Sequence, residues 1–189
     1  MSVTKEEIAD WLAGTHKSMC SEMEAIDQES TFISDKWTRS EGGGGDTRVM
    51  SNGAVIEKGG IAFSKVSGPT TEALRSSQEV TGEHFFATGI SSIFHPHNPN
   101  IPIIHMNVRY FEMDDGTAWF GGGIDLTPHF VEPQEAAFFH RKLKETCDKH
   151  DPYFYDKFKQ WADDYFYLEH RDETRGVGGI FFDRLQPEH

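Results

Sequence analysis

Three polar side chains occupy alternate positions of the segment IPIIHMNVRYFEM: His105, Asn107 and Arg109. The segment is rich in β-branched and aromatic residues and predicts a strand, in which residues two apart point to the same face. One face would therefore carry a proton donor, an amide and a guanidinium fork that suits a carboxylate. Such arginines either form surface ion pairs, the commoner outcome, or bind an acidic ligand.

Histidine is abundant, with ten in the chain. His95, His97 and His105 bracket the rigid segment PHNPNIP, and His140 and His170 each fall on a predicted helix. A single histidine on an apolar face is usually a hydrogen-bonded core residue, whereas several near one strand pair favour a metal or proton-transfer site. The spacing leaves both interpretations open.

Further charged candidates lie toward the C-terminal side. Asp125 follows GGG among apolar residues, where partial burial would raise its pKa and suit it to proton transfer, although a turn-capping aspartate has the same sequence context. Arg171 and Arg175 in HRDETR are spaced i, i+4 and would share a face if the preceding helix continued.

Glycine runs are the densest feature of the chain, at 42–45, 59–60, 121–123 and 176–179. None has the form of a nucleotide phosphate loop, so neither flavin nor nicotinamide is expected. Glycine carries an entropic penalty, which favours backbone lying close to a flat ligand or to another strand; tight turns and bulges alone are an equal alternative.

The elements that must position these residues begin with an amphipathic helix over Lys5–Asp27. Thr4 and Glu7 predict a capping box at its start, and Trp11 belongs to the apolar stripe. Short β-prone pieces follow, with a hairpin turn at Ser51–Gly53.

A polar loop is predicted over Pro69–Gly82, followed by three long β-prone runs with a turn at Asp114–Gly116. Two helices follow, over Glu132–His150 and from Asp151 onward, and a short strand ends the chain. The aromatic residues of the second helix are interpreted as core rather than as cofactor contacts. This order predicts an α+β fold with one mostly antiparallel sheet.

Charge and composition exclude several classes of protein. With 18 Lys and Arg against 31 Asp and Glu, the net charge is −13, which argues against nucleic-acid binding. No apolar run is long enough to span a membrane. The acidic N-terminus resembles no secretory signal or transit peptide, so a cytoplasmic location is expected, with Cys20 and Cys147 as unreactive thiols.

Five longer motifs make the chain recognisable. They are EGGGGDTRV, NGAVIEKGGIAFSKVSG, ATGISSIFHPHNPNIPIIHMNVRYFE, WFGGGIDLTP and YFYLEHRDETRGVGGIFFD. Together, from Trp37 to Asp183, they closely resemble the oxygen-dependent coproporphyrinogen III oxidases of haem biosynthesis.

The resemblance implies a large, mostly antiparallel flat sheet sandwiched between helices on both faces, in a homodimer. It also implies oxidative decarboxylation of two propionates of coproporphyrinogen III to vinyl groups, giving protoporphyrinogen IX. Molecular oxygen would be the co-substrate, and carbon dioxide and hydrogen peroxide would be released. The four carboxylates of this tetrapyrrole would explain local arginines in an acidic protein.

The family's functional positions map onto this chain residue by residue. Ser91 and the segment Asn107, Val108 and Arg109 match substrate contacts. His105 matches the proposed proton donor, and Asp125 matches an acidic residue proposed to polarise or deprotonate a pyrrole N–H. The positions assigned to a divalent metal in bacterial members are His95, His105, His140 and His170; other members are described as needing no metal.

Family members are substantially longer than 189 residues, so we expect a single domain, residues 1–189, that lacks its C-terminal part and has little activity alone. Two other functions fit fewer features. A cupin-type metal dioxygenase would use His95, His97 and His105, but no glutamate follows at the expected spacing. A tetrapyrrole-binding module would bind porphyrin without producing peroxide.

Overall fold

The computed structural model describes residues 3–186 and has one large antiparallel sheet with four helices. In chain order the elements are α1 (Lys5–Asp27), β1 (Ile33–Thr38), β2 (Gly43–Ser51), β3 (Ile56–Pro69), α2 (Glu72–Gln78), β4 (His84–Pro96), β5 (Ile103–Met113), β6 (Ala118–Thr127), α3 (Pro133–Cys147), α4 (Phe154–Tyr165), β7 (Tyr167–Leu168), β8 (Glu173–Thr174) and β9 (Gly179–Leu185). The predicted α+β class is confirmed.

The large sheet has the order β1-β2-β3-β4-β5-β6-β9, with every neighbouring pair antiparallel. Strands β1 and β9 are its edges, and β7 pairs only with β8. Within the described residues this is a single open sheet, which does not match the closed double sheet of a cupin.

Helix α1 covers one face of the sheet. Its predicted capping box is present, because the Thr4 side chain accepts the Glu7 N–H and the Glu7 carboxylate accepts the Thr4 N–H. Leu12 and Cys20 pack into a buried cluster with apolar side chains of β2, β3 and β4. Trp11 is 67% exposed, because it lies on the flank of the helix beside the buried Leu12 position.

The opposite face, here called the site face, also carries helical segments. Val80, just after α2, packs there against Met113 and Trp119. Helix α4 lies along β9 and reaches both faces, since its aromatic rings contact both Phe181 and Phe182, which are consecutive and point in opposite directions. The expected arrangement of helices on both faces is confirmed.

Two local predictions are wrong. The polar stretch Pro69–Gly82 contains helix α2, which the Thr71 side chain caps by accepting the Leu74 N–H. Arg171 and Arg175 do not continue α4 as a helix: a short β7–β8 hairpin intervenes, so Arg171 pairs with Glu173 and Arg175 turns into the sheet. None of the described helices is long and apolar enough to cross a membrane.

Candidate active site

The sheet register places the predicted polar residues side by side on the site face. Ser91 of β4 lies opposite Asn107 of β5, and His105 lies opposite Asp125 of β6. Arg109 is two residues beyond Asn107 and points to the same face. The predicted row of His105, Asn107 and Arg109 is therefore present.

Close polar contacts connect three charged or ionisable side chains, those of His105, Asp125 and Arg175. His105 Nδ1 lies 3.2 Å from Asp125 Oδ2, and Arg175 Nη2 donates to Asp125 Oδ1 over 2.8 Å. Strand β6 places Asp125, and the turn after β8 places Arg175. Asp125 thus connects an arginine on one side to a histidine on the other.

Burial and hydrogen bonding limit the role that Asp125 can have between Arg175 and His105. Only 2% of the residue is exposed, and each carboxylate oxygen already has a partner. A buried carboxylate needs such pairing, and the Arg175 guanidinium supplies it with a charge-assisted hydrogen bond. Asp125 is therefore suited to orienting His105, whose Nδ1–H it accepts, while Nε2 is the ring nitrogen left for a ligand.

Arg109 has a separate acidic partner. Its Nη1 donates to Asn107 Oδ1 over 3.2 Å, and its Nη2 lies 3.1 Å from Asp183 Oδ1 of β9. Gly121 makes room for this guanidinium, because a Cβ at that position would lie 2.7 Å from Arg109 Nε. The hydrogen bond to Asn107 uses one of the five N–H groups of arginine, Asp183 is an ion-pair partner, and the half-exposed side chain has donors left for a carboxylate.

Small side chains form the floor around these polar groups. One row crosses five strands as Gly45, Ser64, Gly89, Arg109 and Gly121. The next row crosses six strands as Thr47, Ala62, Ser91, Asn107, Gly123 and Phe181. With about 4.8 Å between strands, the floor from β2 to β6 is about 19 Å wide. At Gly45, Gly121 and Gly123 the space that a Cβ would fill is taken by the side chains of Trp37, of Arg109 and Asp183, and of Phe181, so these glycines make room for neighbouring side chains.

Aromatic residues form one wall of a cavity of about 380 Å³ above this floor. Tyr165 stacks on Phe181 with ring centroids 4.2 Å apart, and the Arg175 guanidinium lies 4.2 Å from the centre of the Phe166 ring. Tyr165 is 61% exposed, so this member of the predicted core stripe lines the cavity instead. Apolar walls with a few polar groups are typical of small-molecule sites.

Val108 does not join this cavity through its side chain. Because neighbours along a strand alternate, it points to the α1 face, where it lines an apolar groove with Trp11 and Phe120.

The four histidines of the implied metal site do not come together. His95 and His105 are neighbours, with ring centroids 6.5 Å apart, whereas His140 lies on α3 and His170 is exposed in the β7–β8 turn. Among residues 3–186, no group of three His, Cys, Asp or Glu side chains is placed to hold a metal ion. Both ring nitrogens of His140 already have hydrogen-bond partners, Val177 and Tyr155. These residues do not fit a metal centre.

Some site residues were not singled out from the sequence. Asp183 and Phe181 lie in the quoted motif ending IFFD, but nothing in their spacing shows that β9 pairs with β6 and brings them to Arg109 and the cavity. Arg175 was noticed only as part of an arginine pair. The signal that identifies it, contact with Asp125, exists only in three dimensions.

The chain is similar to known proteins over most of its length. A family model described as coproporphyrinogen III oxidase matches residues 7–189. Two relatives, from Parasynechococcus marenigrum and a Synechococcus species, are named oxygen-dependent coproporphyrinogen-III oxidase. They are 48% and 46% identical to this chain over 90% and 96% of its length.

A human relative, named oxygen-dependent coproporphyrinogen-III oxidase, mitochondrial, is 44% identical over 90% of the chain. The matches cover 47%, 51% and 40% of the three relatives, respectively. The chain therefore spans about half the length of the curated relatives it matches.

Proposed function

The chain belongs to the coproporphyrinogen III oxidase family, and on that premise we propose that it contributes the site for oxidative decarboxylation of coproporphyrinogen III. Two propionate side chains would become vinyl groups, giving protoporphyrinogen IX in haem biosynthesis. One observation carries the proposal: His105, Asn107 and Arg109 lie side by side on a broad floor that also contains small residues, and Asp125 contacts His105 Nδ1.

The chemistry of each round balances without another oxidant. A propionic acid and O2 give a vinyl group, CO2 and H2O2, so the side chain loses two electrons and oxygen gains them. The names of the relatives support molecular oxygen as co-substrate. Neither flavin nor nicotinamide is part of the proposal.

The residues of the chain would bind the substrate and move protons. Arg109 would hold a propionate carboxylate through a charge-assisted hydrogen bond, and Asn107 and Ser91 would contact the same ligand. His105 Nε2 would exchange a proton with the reacting ring or side chain, while Asp125 keeps the imidazole in one orientation. No step is assigned to a metal, because the four histidines do not fit one.

The test is an aerobic assay with coproporphyrinogen III, in which product fluorescence is measured after oxidation, with and without a chelator. The enzyme is a chimaera in which residues 1–189 replace the matching part of the Parasynechococcus relative. We expect turnover that survives the chelator. A folded chimaera without turnover, beside an active parent, would overturn the proposal. Porphyrin binding without peroxide would instead indicate a binding module.

Arg109→Lys in the chimaera tests the carboxylate contact. Lysine keeps the charge but not the planar fork, so KM should rise about tenfold, as expected for one lost charge-assisted hydrogen bond. Arg171→Lys is the matched control, because Arg171 pairs with Glu173 outside the cavity. Equal KM values for the two variants would contradict the role of Arg109.

The proposed assembly is a homodimer in which residues 1–189 belong to a single, longer domain. The continuous family match over residues 7–189 supports one domain. Light scattering of the chimaera tests the dimer, and a monomer that turns over would contradict it.

A cytoplasmic location is also proposed. Residues 5–27 form α1, which packs Leu12 and Cys20 into the core, so this acidic segment is part of the fold. The human relative carries the word mitochondrial in its name, so fractionation of cells expressing a tagged chain is the deciding measurement.

A further inference from the structure

His140 of α3 makes two hydrogen bonds that connect three separate parts of the chain. Its Nε2 lies 2.8 Å from the Val177 carbonyl oxygen, between β8 and β9. Its Nδ1 lies 3.0 Å from the Tyr155 hydroxyl oxygen of α4. Helix α3, helix α4 and the glycine-rich segment 176–179 therefore meet at one imidazole.

The partners determine which nitrogen carries the hydrogen. A carbonyl oxygen only accepts, so Nε2 must be the N–H that donates to Val177. Nδ1 of the neutral ring then accepts, and the Tyr155 hydroxyl donates to it. Burial raises the pKa of Tyr155, which keeps this phenol protonated as the donor.

Segment 176–179 also makes two backbone hydrogen bonds with Leu126 of β6, on the side away from His140. The Val177 N–H donates to the Leu126 carbonyl, and the Leu126 N–H donates to the Gly178 carbonyl. Gly176 and Gly178 have φ values of +61° and +73°, which favour glycine. Val177 is therefore held between His140 of α3 and Leu126 of β6.

Both partners in these hydrogen bonds, segment 176–179 and Leu126, lie next in sequence to a residue of the active site. Arg175 directly precedes Gly176 and donates to Asp125, and Leu126 directly follows Asp125. The hydrogen bonds of Val177 therefore lie two residues from Arg175, in a segment that pairs with the residue next to Asp125.

We infer that His140 is a positioning residue: its hydrogen bond to the Val177 carbonyl keeps Arg175 in contact with Asp125. In this role His140 is not a metal ligand. Its two ring nitrogens are committed to Val177 and Tyr155. The effect on turnover rests on the proposed function, whereas the tautomer and hydrogen bonds of the His140 imidazole do not.

The first test reads the imidazole directly, by nitrogen-15 NMR of residues 1–189 labelled at histidine. The ring signals that disappear in His140→Gln belong to His140. We expect the Nε2–H tautomer, a shifted Nδ1 signal in Tyr155→Phe, and unchanged His140 signals when Zn²⁺ is added. The opposite tautomer, or a His140 signal that moves with Zn²⁺, would overturn the inference whatever the enzyme's activity.

The second test measures the consequence for the site. His140→Ala in the chimaera should speed amide exchange at Val177 and lower kcat about tenfold, which is about 1.4 kcal/mol, with KM within about twofold of wild type. His140→Gln keeps an N–H donor for Val177 and should recover most of that kcat, although glutamine is a poor substitute for a metal-binding imidazole.

His150→Gln is the matched control, because this histidine is exposed just beyond α3. The His150→Gln variant should have the wild-type rate of amide exchange at Val177 and the wild-type kcat. Wild-type kcat in His140→Ala, or a glutamine variant that folds but is as slow as the alanine variant, would contradict the positioning role.

Discussion

At the scale of single residues, the two oxygens of Asp125 have different partners, and this division decides its role. One oxygen holds the Arg175 guanidinium and the other orients His105, so neither is directed at a ligand. The sequence predicted a titratable aspartate near apolar residues. It did not predict the partners, because Arg175 is fifty positions away and reaches Asp125 only through the β7–β8 hairpin.

Asp125→Asn in the chimaera tests this role. The amide is nearly isosteric, but it weakens the contact with Arg175 and offers His105 Nδ1 a donor or a weaker acceptor. We expect kcat to fall about 100-fold, within the usual contribution of a positioned acid or base, with KM little changed. Steady-state kinetics measure both values. Asp35→Asn, on the exposed strand β1, is the control, and a variant of Asp125 as active as that control would refute the role.

Gly121 gives a second prediction at the residue scale. A methyl group there would lie 2.5 Å from Asp183 Oδ1 and 2.7 Å from Arg109 Nε, so Gly121→Ala should displace the guanidinium without moving the backbone far. We expect the Kd for coproporphyrin III to rise about fivefold, equivalent to about 1 kcal/mol. Fluorescence titration of residues 1–189 measures it.

The same substitution at Gly14 is the control for Gly121→Ala. Among the described residues, no atom outside its own helix and chain neighbours lies within 4 Å of the added methyl. Gly14→Ala should leave the Kd unchanged and stabilise α1 by about 1 kcal/mol. An equal Kd in both variants would show that Arg109 does not bind the porphyrin.

At the scale of elements, one buried carboxylate joins α1 to the β2–β3 hairpin. Asp27, the last residue of α1, is 1% exposed and accepts the backbone N–H groups of Ala54, Val55 and Ile56, as well as that of Ser30. Gly53 passes so close that a Cβ there would touch this carboxylate. The helix and the turn were each predicted from local signals, but the contact between them was not.

Asp27→Asn should therefore change how stability depends on pH. Backbone N–H groups, that of Ile56 foremost, hold the pKa of Asp27 well below its usual value. A lowered pKa in the folded state stabilises the protein above the unfolded pKa, and that stabilisation is lost as pH falls through and below about 4. At pH 7 the variant should melt roughly 5 °C or more below wild type.

Thermal unfolding between pH 7 and pH 3 measures this effect for Asp27→Asn. The gap in Tm between wild type and variant should narrow as the pH falls below about 4. Asp10→Asn, on the exposed side of α1, should show no such gap. A gap that stays constant across the pH range would mean that the carboxylate charge does not contribute.

Local signals predicted the elements well wherever periodicity and caps agree. Helix α1 has the predicted bounds, and the turns at Ser51–Gly53 and Asp114–Gly116 join the predicted strands. The errors occur where tertiary contacts override the local pattern. The segment after α4 has helical spacing of its arginines, yet the pairing of β7 with β8 and the contact of Arg175 with Asp125 draw it out of the helix.

At the scale of the whole molecule, the chain combines an acidic surface with a local pair of arginines. The net charge is −13, yet Arg109 and Arg175 each face the floor with an aspartate partner, Asp183 and Asp125. The aspartates keep the guanidinium groups fixed in place. On the proposed function, a tetrapyrrole with several carboxylates would then bind at defined points of a broad floor without a general attraction of anions.

Described residues overhang the two ends of the floor and leave its middle uncovered, and at the β2 end the Trp37 ring lies over Gly45. The Tyr165–Arg175 stretch overhangs the β6 and β9 end, whereas Ser91 and Ile93 in the middle of the floor are exposed. Exclusion of water strengthens the electrostatic contacts of an active site and protects reactive intermediates. Since the curated relatives are about twice as long as this chain, we expect the part of them that this chain does not match to supply the remaining cover.

We expect porphyrin binding and turnover to separate when residues 1–189 alone are compared with the chimaera. Residues 1–189 alone should bind coproporphyrin III, because the floor, Arg109 and the aromatic wall are all within them, but should convert coproporphyrinogen III at least about 100-fold more slowly than the chimaera. Fluorescence titration and the aerobic assay measure the two properties on the same preparations. Gly121→Ala should weaken porphyrin binding in both forms, which shows that the same floor is used. Near-normal turnover by residues 1–189 would mean that the exposed middle of the floor needs no cover, and the reaction would then have to tolerate water at His105.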